Sequence, residues 1–300
     1  MQKIQERLRA LKEREKAVIL AHYYAPDAVQ AIADRVGDSY YLAKEAAKTQ
    51  AETIVFCGVH FMGESAKILN PGKRVLMPDL SADCPMAHMA SAEQIAALKR
   101  EVGDLAVVCY INSTAELKAM SDVCVTSSNA VKIVRALKEQ NILFIPDQNL
   151  GSFVAEKVPE KHFYFSGGYC PVHASLLAAD VAAEKAAHPQ AEVLTHPECT
   201  EEVRALSDFI GSTAEIIARA RESAAREFIV CTEPGVLYEL KNSCPDKHFI
   251  PVSMACADMK KNTLERVLEC LETGAGEVVT DAAKAESARR PLERMLELAK

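Results

Sequence analysis

An α/β fold is predicted for this 300-residue chain: three homologous three-layer αβα domains in pseudo-threefold arrangement around a central active site. Three observations predict it. Short runs rich in β-branched residues alternate with stretches rich in Ala, Glu, Lys and Leu, the pattern of parallel strands flanked by helices. One ordered set of features occurs three times at a nearly constant interval, the signature of internal repetition. Each copy ends in a cysteine at the same place, so the copies share a functional position as well as a pattern.

The elements follow in order. A helix rich in Lys, Arg and Glu opens the chain. Strands are expected at Ala17–Ala21, Thr53–Cys57, Leu105–Cys109, Ile142–Ile145, Glu192–Leu194 and Glu227–Cys231. Each is short and nearly continuously apolar, as a strand covered on both faces must be. Helices are expected at Tyr40–Thr49, Ala130–Gln140, Ala214–Ala225 and Leu264–Glu272, with a last one at Ala282–Leu298.

The repeats lie in register. His22, Tyr110 and His196 close or follow the first strand of each copy and are 88 and 86 residues apart. Cys84, Cys170 and Cys256 are 86 and 86 apart. Length alone, at ~150 residues per domain, suggests two domains; the repeat raises this to three, expected at residues 1–103, 104–190 and 191–300.

Composition narrows the function. With 49% apolar and 26% charged residues the chain is an ordinary globular sequence. Its 35 basic and 42 acidic residues leave −7, the wrong sign for a phosphate-backbone partner, so no nucleic acid is expected. No apolar run approaches the ~20 residues of a membrane span, and the N-terminal stretch lacks a signal-peptide core. A cytoplasmic protein is expected, in which ten cysteines stay reduced.

Any single cysteine reads first as a small buried hydrophobe. Three in register, two of them followed by Pro, read instead as thiolates that meet at one metal centre. A structural zinc site wants a fourth protein ligand, whereas three cysteines suit a [4Fe-4S] cluster with one iron left open. Such an iron is a Lewis acid able to accept hydroxide, which points to dehydration. The other seven cysteines are assigned no role: Cys57, Cys109 and Cys231 lie in strands, and Cys124, Cys199, Cys244 and Cys270 have no repeat partners.

Two further sets recur. Hydroxyl residues precede a helix in each copy: Ser39, then Ser127 with Ser128, then Ser212 with Thr213. Such residues serve as N-caps, and three converging helix N-termini also suit carboxylate or phosphate binding. Strand ends supply His22 and Tyr24, Tyr110 and Asn112, and His196 with Glu198. His196-Pro197-Glu198 pairs a titratable ring with a carboxylate, fit for anion binding and proton transfer. His173 lies three residues beyond Cys170 and joins the set; His60, His88, His162, His188 and His248 are expected to be structural or solvated.

At these positions the chain resembles the quinolinate synthase family. The likeness runs from Ala21-His22-Tyr23-Tyr24 and Gly37-Asp38-Ser39 through Tyr110-Ile111-Asn112 and Gly168-Tyr169-Cys170-Pro171-Val172-His173. It continues through His196-Pro197-Glu198-Cys199 and Gly211-Ser212-Thr213 to Met259-Lys260-Lys261-Asn262-Thr263. The resemblance implies condensation of iminoaspartate with dihydroxyacetone phosphate to quinolinate, phosphate and two waters in NAD biosynthesis. It implies cluster ligands Cys84, Cys170 and Cys256. It implies substrate contacts from His22, Ser39, Tyr110, Asn112, Ser127, His196, Glu198, Ser212 and Thr213. Catalytic roles fall to Glu198, Tyr24, Tyr110 and His173, with Glu198 as proton shuttle. An L-aspartate oxidase or dehydrogenase is implied upstream.

The chain departs from some relatives at the third ligand. Where those carry Cys-x-x-Cys-x-x-Cys, this chain has Ser253-Met254-Ala255-Cys256, so no local disulfide forms there. The diphthamide synthase type also places one cluster cysteine in each of three related domains, but cleaves S-adenosylmethionine; His-Pro-Glu and the serine-bearing helix starts favour a dicarboxylate site. A non-catalytic iron or oxygen sensor is the reading from another class, and the acidic balance opposes it.

Overall fold

The computed structural model describes residues 2–300, in which three four-stranded, wholly parallel sheets are flanked by helices. The first sheet holds β1 (Ala17–His22), β2 (Arg35–Gly37), β3 (Thr53–Cys57) and β4 (Arg74–Leu76). The second holds β5 (Leu105–Tyr110), β6 (Val123–Val125), β7 (Asn141–Ile145) and β8 (His162–Phe165). The third holds β9 (Glu192–Thr195), β10 (Phe209–Ile210), β11 (Glu227–Cys231) and β12 (His248–Pro251). All three share one strand order, β2-β1-β3-β4, β6-β5-β7-β8 and β10-β9-β11-β12.

The repeat extends to individual hydrogen bonds. Asp34, Asp122 and Asp208 stand just before the short strands β2, β6 and β10. Their carboxylates accept from the backbone N–H of Ile19, Val107 and Val193, each at 2.8 Å. Their own N–H groups donate to the carbonyls of the same three residues at 2.9–3.0 Å. This two-way clamp sets the register of an edge strand too short to hold itself.

The six strands read from the sequence are the two central strands of each sheet, all within a residue of their expected ends. The six missed strands are edges of two to four residues, too short to show a period. Ala130–Gln140 was expected to be one helix, but helix ends at Ala136, because Leu137 turns to an extended backbone (ψ 147°) and residues 138–140 lead into β7. Ala282–Leu298 is helical as expected.

Helices beyond the third sheet cross back to the others. Leu264, Val267, Cys270 and Leu271 of helix Leu264–Thr273 share a core with Ile19, Val55 and Cys57 of the first sheet. The final helix packs against helices Ala115–Ala119 and His60–Leu69. Arg289 donates to the Ile68 carbonyl at 3.2 Å and Arg294 to the Asp122 carbonyl at 3.0 Å, so this helix fastens the first sheet's surroundings to the second's. No helix among the described residues is long and apolar enough to cross a membrane.

Candidate active site

The strand ends supply the first set of side chains. His22 is the last residue of β1, and its Nδ1 accepts from the Tyr24 backbone N–H at 3.1 Å. His196 comes directly after β9, and its Nδ1 accepts from the Glu198 N–H at 3.3 Å. The same two-residue turn therefore places the ring proton on Nε2 in both copies. Burial pushes each imidazole down to about 3, although the Glu198 carboxylate favours the charged form. Both rings are neutral N–H donors at physiological pH. His196 Nε2 lies 3.3 Å from Ser127 Oγ.

Glu198 is the electrostatic centre. The Tyr110 hydroxyl donates to its Oε1 at 2.5 Å, and His173 Nδ1 lies 2.7 Å from its Oε2. Burial works to raise the carboxyl, but His173 and the Tyr110 bond hold it below the usual carboxylate range. The chain of contacts continues: His173 Nε2 meets Thr232 Oγ1 at 3.0 Å, and Thr232 meets the Tyr24 hydroxyl at 2.7 Å. Tyr24 also meets Thr213 Oγ1 at 2.7 Å. Burial, with the Glu198 charge, pushes both the Tyr24 and Tyr110 hydroxyls well above their ordinary range, so both stay protonated.

The cysteines sort into two groups. Cys84, Cys170 and Cys256 are partly exposed, whereas the other seven are buried. Each of the three occupies the N-cap of a short helix, Pro85–His88, Pro171–Ala174 and Ala257–Lys260. None of the three sulfurs accepts a cap hydrogen bond, but the nearby backbone N–H groups of Met86 and Ala87, of His173, and of Met259 and Asp258 favour the respective thiolates. Burial nonetheless raises all three thiols, and Cys84 disfavours the charge of Cys170 as Cys256 does that of Cys84.

All three border one cavity of about 260 Å³, lined from every sheet's surroundings. His22, Tyr24, Ser39 and Thr213 line it, as do Tyr110, Asn112, Ser127 and His173, and as do His196 and Glu198. Ser212 does not. Its hydroxyl accepts from the Glu215 N–H at 3.3 Å while Glu215 bonds back to the Ser212 N–H, a closed capping box that leaves Thr213 to face the cavity. In the first copy Asp38 is the cap and Ser39 the first helical residue.

Sequence reasoning missed Asp38, Thr232 and Glu233. Glu233 is buried, borders the cavity and pairs with Lys260 at 2.8 Å. A signal existed: Val59, Asp147 and Glu233 each stand two residues past β3, β7 and β11, and each N-caps the next helical segment. Of the five histidines set aside, His88 pairs with Asp83 at 2.7 Å and His248 with Glu227 at 3.3 Å, both at the surface.

The family model described as quinolinate synthetase A protein matches residues 6–297. The chain belongs to the quinolinate synthetase A family. A quinolinate synthase of Caldicellulosiruptor saccharolyticus is 50% identical over 300 residues, with 99% of each chain covered. One from Fusobacterium nucleatum is 48% identical over 297 residues, again with 99% of each covered. One from Clostridioides difficile is 47% identical over 294 residues, with 97% of each covered. Like these relatives, this member of the quinolinate synthetase A family is an enzyme, and the cavity described above is its candidate active site.

Proposed function

We propose that the chain condenses iminoaspartate with dihydroxyacetone phosphate to give quinolinate, one phosphate and two waters, using a [4Fe-4S] cluster held by Cys84, Cys170 and Cys256. The observation that carries this reading is the sorting of the cysteines: those in repeat register border one cavity, and the rest are core. Three thiols, each at a helix N-terminus, with no fourth cysteine on the cavity wall, fit a cluster that keeps one iron free of protein. Their raised thiols fit too, since an iron core's positive charge stabilises thiolates that burial disfavours. When bound, the cluster supplies a Lewis-acidic iron for loss of hydroxide.

The chain's own side chains account for the remaining chemistry. His22 and His196 direct neutral Nε2–H donors to the carboxylates of the iminoaspartate skeleton, with Ser127 beside His196. Ser39 and Thr213 open helices of ten residues each, whose first N–H groups and dipoles add to anion binding. Asn112 Oδ1 is buried without a protein partner, an acceptor suited to a substrate N–H. Glu198, ionised at neutral pH, takes up and returns protons. Tyr110, bonded to Glu198, and Tyr24, held by two threonines, assist isomerisation and ring closure, and His173 positions the phosphate or a later intermediate.

The substrate partners are iminoaspartate and dihydroxyacetone phosphate, with an L-aspartate oxidase or dehydrogenase supplying the former. Ten unpaired cysteines suit a reducing cytoplasm. The test is anaerobic reconstitution, then iron and sulfide analysis, EPR and quinolinate assay. Cys84→Ala is expected to be colourless and inactive; a colourless variant that still forms quinolinate overturns the reading.

A further inference from the structure

The cavity contains a second donor set that the cluster reading uses only in part. Cys170 Sγ lies 3.3 Å from His173 Nδ1, Glu198 Oε2 lies 2.7 Å from the same nitrogen, and all three atoms fall within 4.8 Å of one another. In a tetrahedral site with zinc-type bond lengths of about 2.0 Å to nitrogen or oxygen and 2.3 Å to sulfur, neighbouring donors stand roughly 3.3–3.6 Å apart. The sulfur–nitrogen contact is already at about that spacing, and the carboxylate must move outward from the imidazole to reach it.

The groups behind these donors are also in place. Metal-bound imidazoles characteristically donate their second ring N–H to a fixed oxygen, and bound carboxylates accept a bond on the free oxygen. His173 Nε2 has Thr232 Oγ1 at 3.0 Å, and Glu198 Oε1 has the Tyr110 hydroxyl at 2.5 Å. Thr232 in turn meets Tyr24, so its hydroxyl can accept from Nε2–H while it donates to the tyrosine. His173 and Glu198 are both buried.

We infer that, when no cluster is bound, Cys170, His173 and Glu198 form a mononuclear site for a divalent transition cation of the zinc, cobalt or iron(II) class. Three protein donors leave the fourth position to water or a substrate carboxylate. On binding, the Cys170 thiol releases its proton to solvent, the His173 ring proton passes from Nδ1 to Nε2 so that Nδ1 is free for the cation, and no electron is transferred. The consequence for assembly rests on the cluster assignment above: a cation here takes one cluster ligand and the proton shuttle, so one equivalent of zinc blocks both cluster loading and turnover.

The test titrates cobalt(II) into cluster-free, chelator-treated protein held reduced by a phosphine, in the absence of oxygen. A sulfur-to-cobalt charge-transfer band is expected at one cobalt per chain and should vanish on addition of zinc. Cys170→Ser should remove the band. His173→Gln and Glu198→Gln should each weaken binding by at least about tenfold, and Thr232→Val, which touches no ligand atom directly, by about tenfold. Cys84→Ala and Cys256→Ala should retain the band. A band lost in Cys84→Ala and unchanged in His173→Gln means that three thiols hold the cation, which overturns the inference, as does the absence of any sulfur-based band. A cluster that fails to form even without zinc counts against the assembly reading alone, because the cobalt signal is read before iron is added.

Discussion

The Tyr110 hydroxyl donates a 2.5 Å hydrogen bond to Glu198 Oε1, joining the end of β5 to the turn after β9. That bond favours the charged carboxylate, as does His173. Tyr110→Phe deletes the donor, so the Glu198 carboxyl titrates at higher pH. Hydrogen bonds to charged groups contribute about 1.5–3 kcal/mol, and kcat should fall roughly ten- to hundredfold if this bond matters to the same extent in the transition state. The acid limb of the pH–rate profile should move upward. An unchanged acid limb would show that Glu198 ionisation does not limit turnover.

The two turn-held histidines set an acid limit on stability. Their native imidazoles resist protonation until about pH 3, against an ordinary value of 6.5. Below about pH 6.5 the unfolded chain therefore binds two protons that the native chain does not, and stability, complete above that pH, declines as pH falls. Midway through the window the pair contributes a slope of roughly 2.7 kcal/mol per pH unit. His22→Gln should remove about half of this slope. Urea midpoints measured between about pH 7 and pH 5 check it, and equal pH slopes in the two proteins would contradict a neutral native His22.

Legibility in the sequence tracks the length of each signal. Central strands such as Thr53–Cys57 and Glu227–Cys231 are continuous apolar runs, and they were legible to the residue. Edge strands such as Phe209–Ile210 are held by the Asp208 clamp, an interaction across 15 positions that leaves no periodic trace. Cys84, Cys170 and Cys256 were visible through their equal spacing, and the cavity gathers all three. Ser212 stands in register with the cap Asp38 and Thr213 with Ser39, so a hydroxyl before a helix does not by itself tell a cap from a residue that faces the cavity. The position of Glu233 recurs as Asp147 and Val59, but its carboxylate is absent from the first copy, and Thr232 has Gly58 and Pro146 as counterparts, so residue type alone did not single them out.

Lys118 offers a test of how the Tyr110–Ser113 turn is held. The lysine is fully buried, its Nζ donates to the Ser113 carbonyl at 2.5 Å, and it lies 5.6 Å from the centre of the Phe61 ring on the cavity wall. Ser113 Oγ in turn donates to the Tyr110 carbonyl at 2.9 Å. Lys118→Met leaves the Ser113 carbonyl unpaired, at a cost of about 1–3 kcal/mol. Because Tyr110 and Asn112 ride on this turn, KM should rise as well. Denaturant unfolding and steady-state kinetics measure the two effects; a variant as stable as the parent would mean that the turn needs no ammonium behind it.

The division of the cysteines makes a prediction that requires no activity. In cluster-free protein under native, oxygen-free conditions, a small alkylating reagent should modify Cys84, Cys170 and Cys256 first. The remaining seven, Cys57 in β3 and Cys231 in β11 among them, are sealed in cores and react only through opening of the structure. Each ~1.4 kcal/mol of opening free energy slows them about tenfold, so a core strand that opens at ~3 kcal/mol lags by about a hundredfold. Burial raises the Cys84 and Cys57 thiols alike, so access rather than thiolate fraction separates these two. Peptide mapping by mass spectrometry at timed intervals reads the order, and iron–sulfur reconstitution beforehand should protect the three fast sites while leaving the slow ones unchanged. Labelling of Cys57 or Cys231 in step with Cys256 would mean that the cavity does not distinguish the repeat-registered thiols from the core.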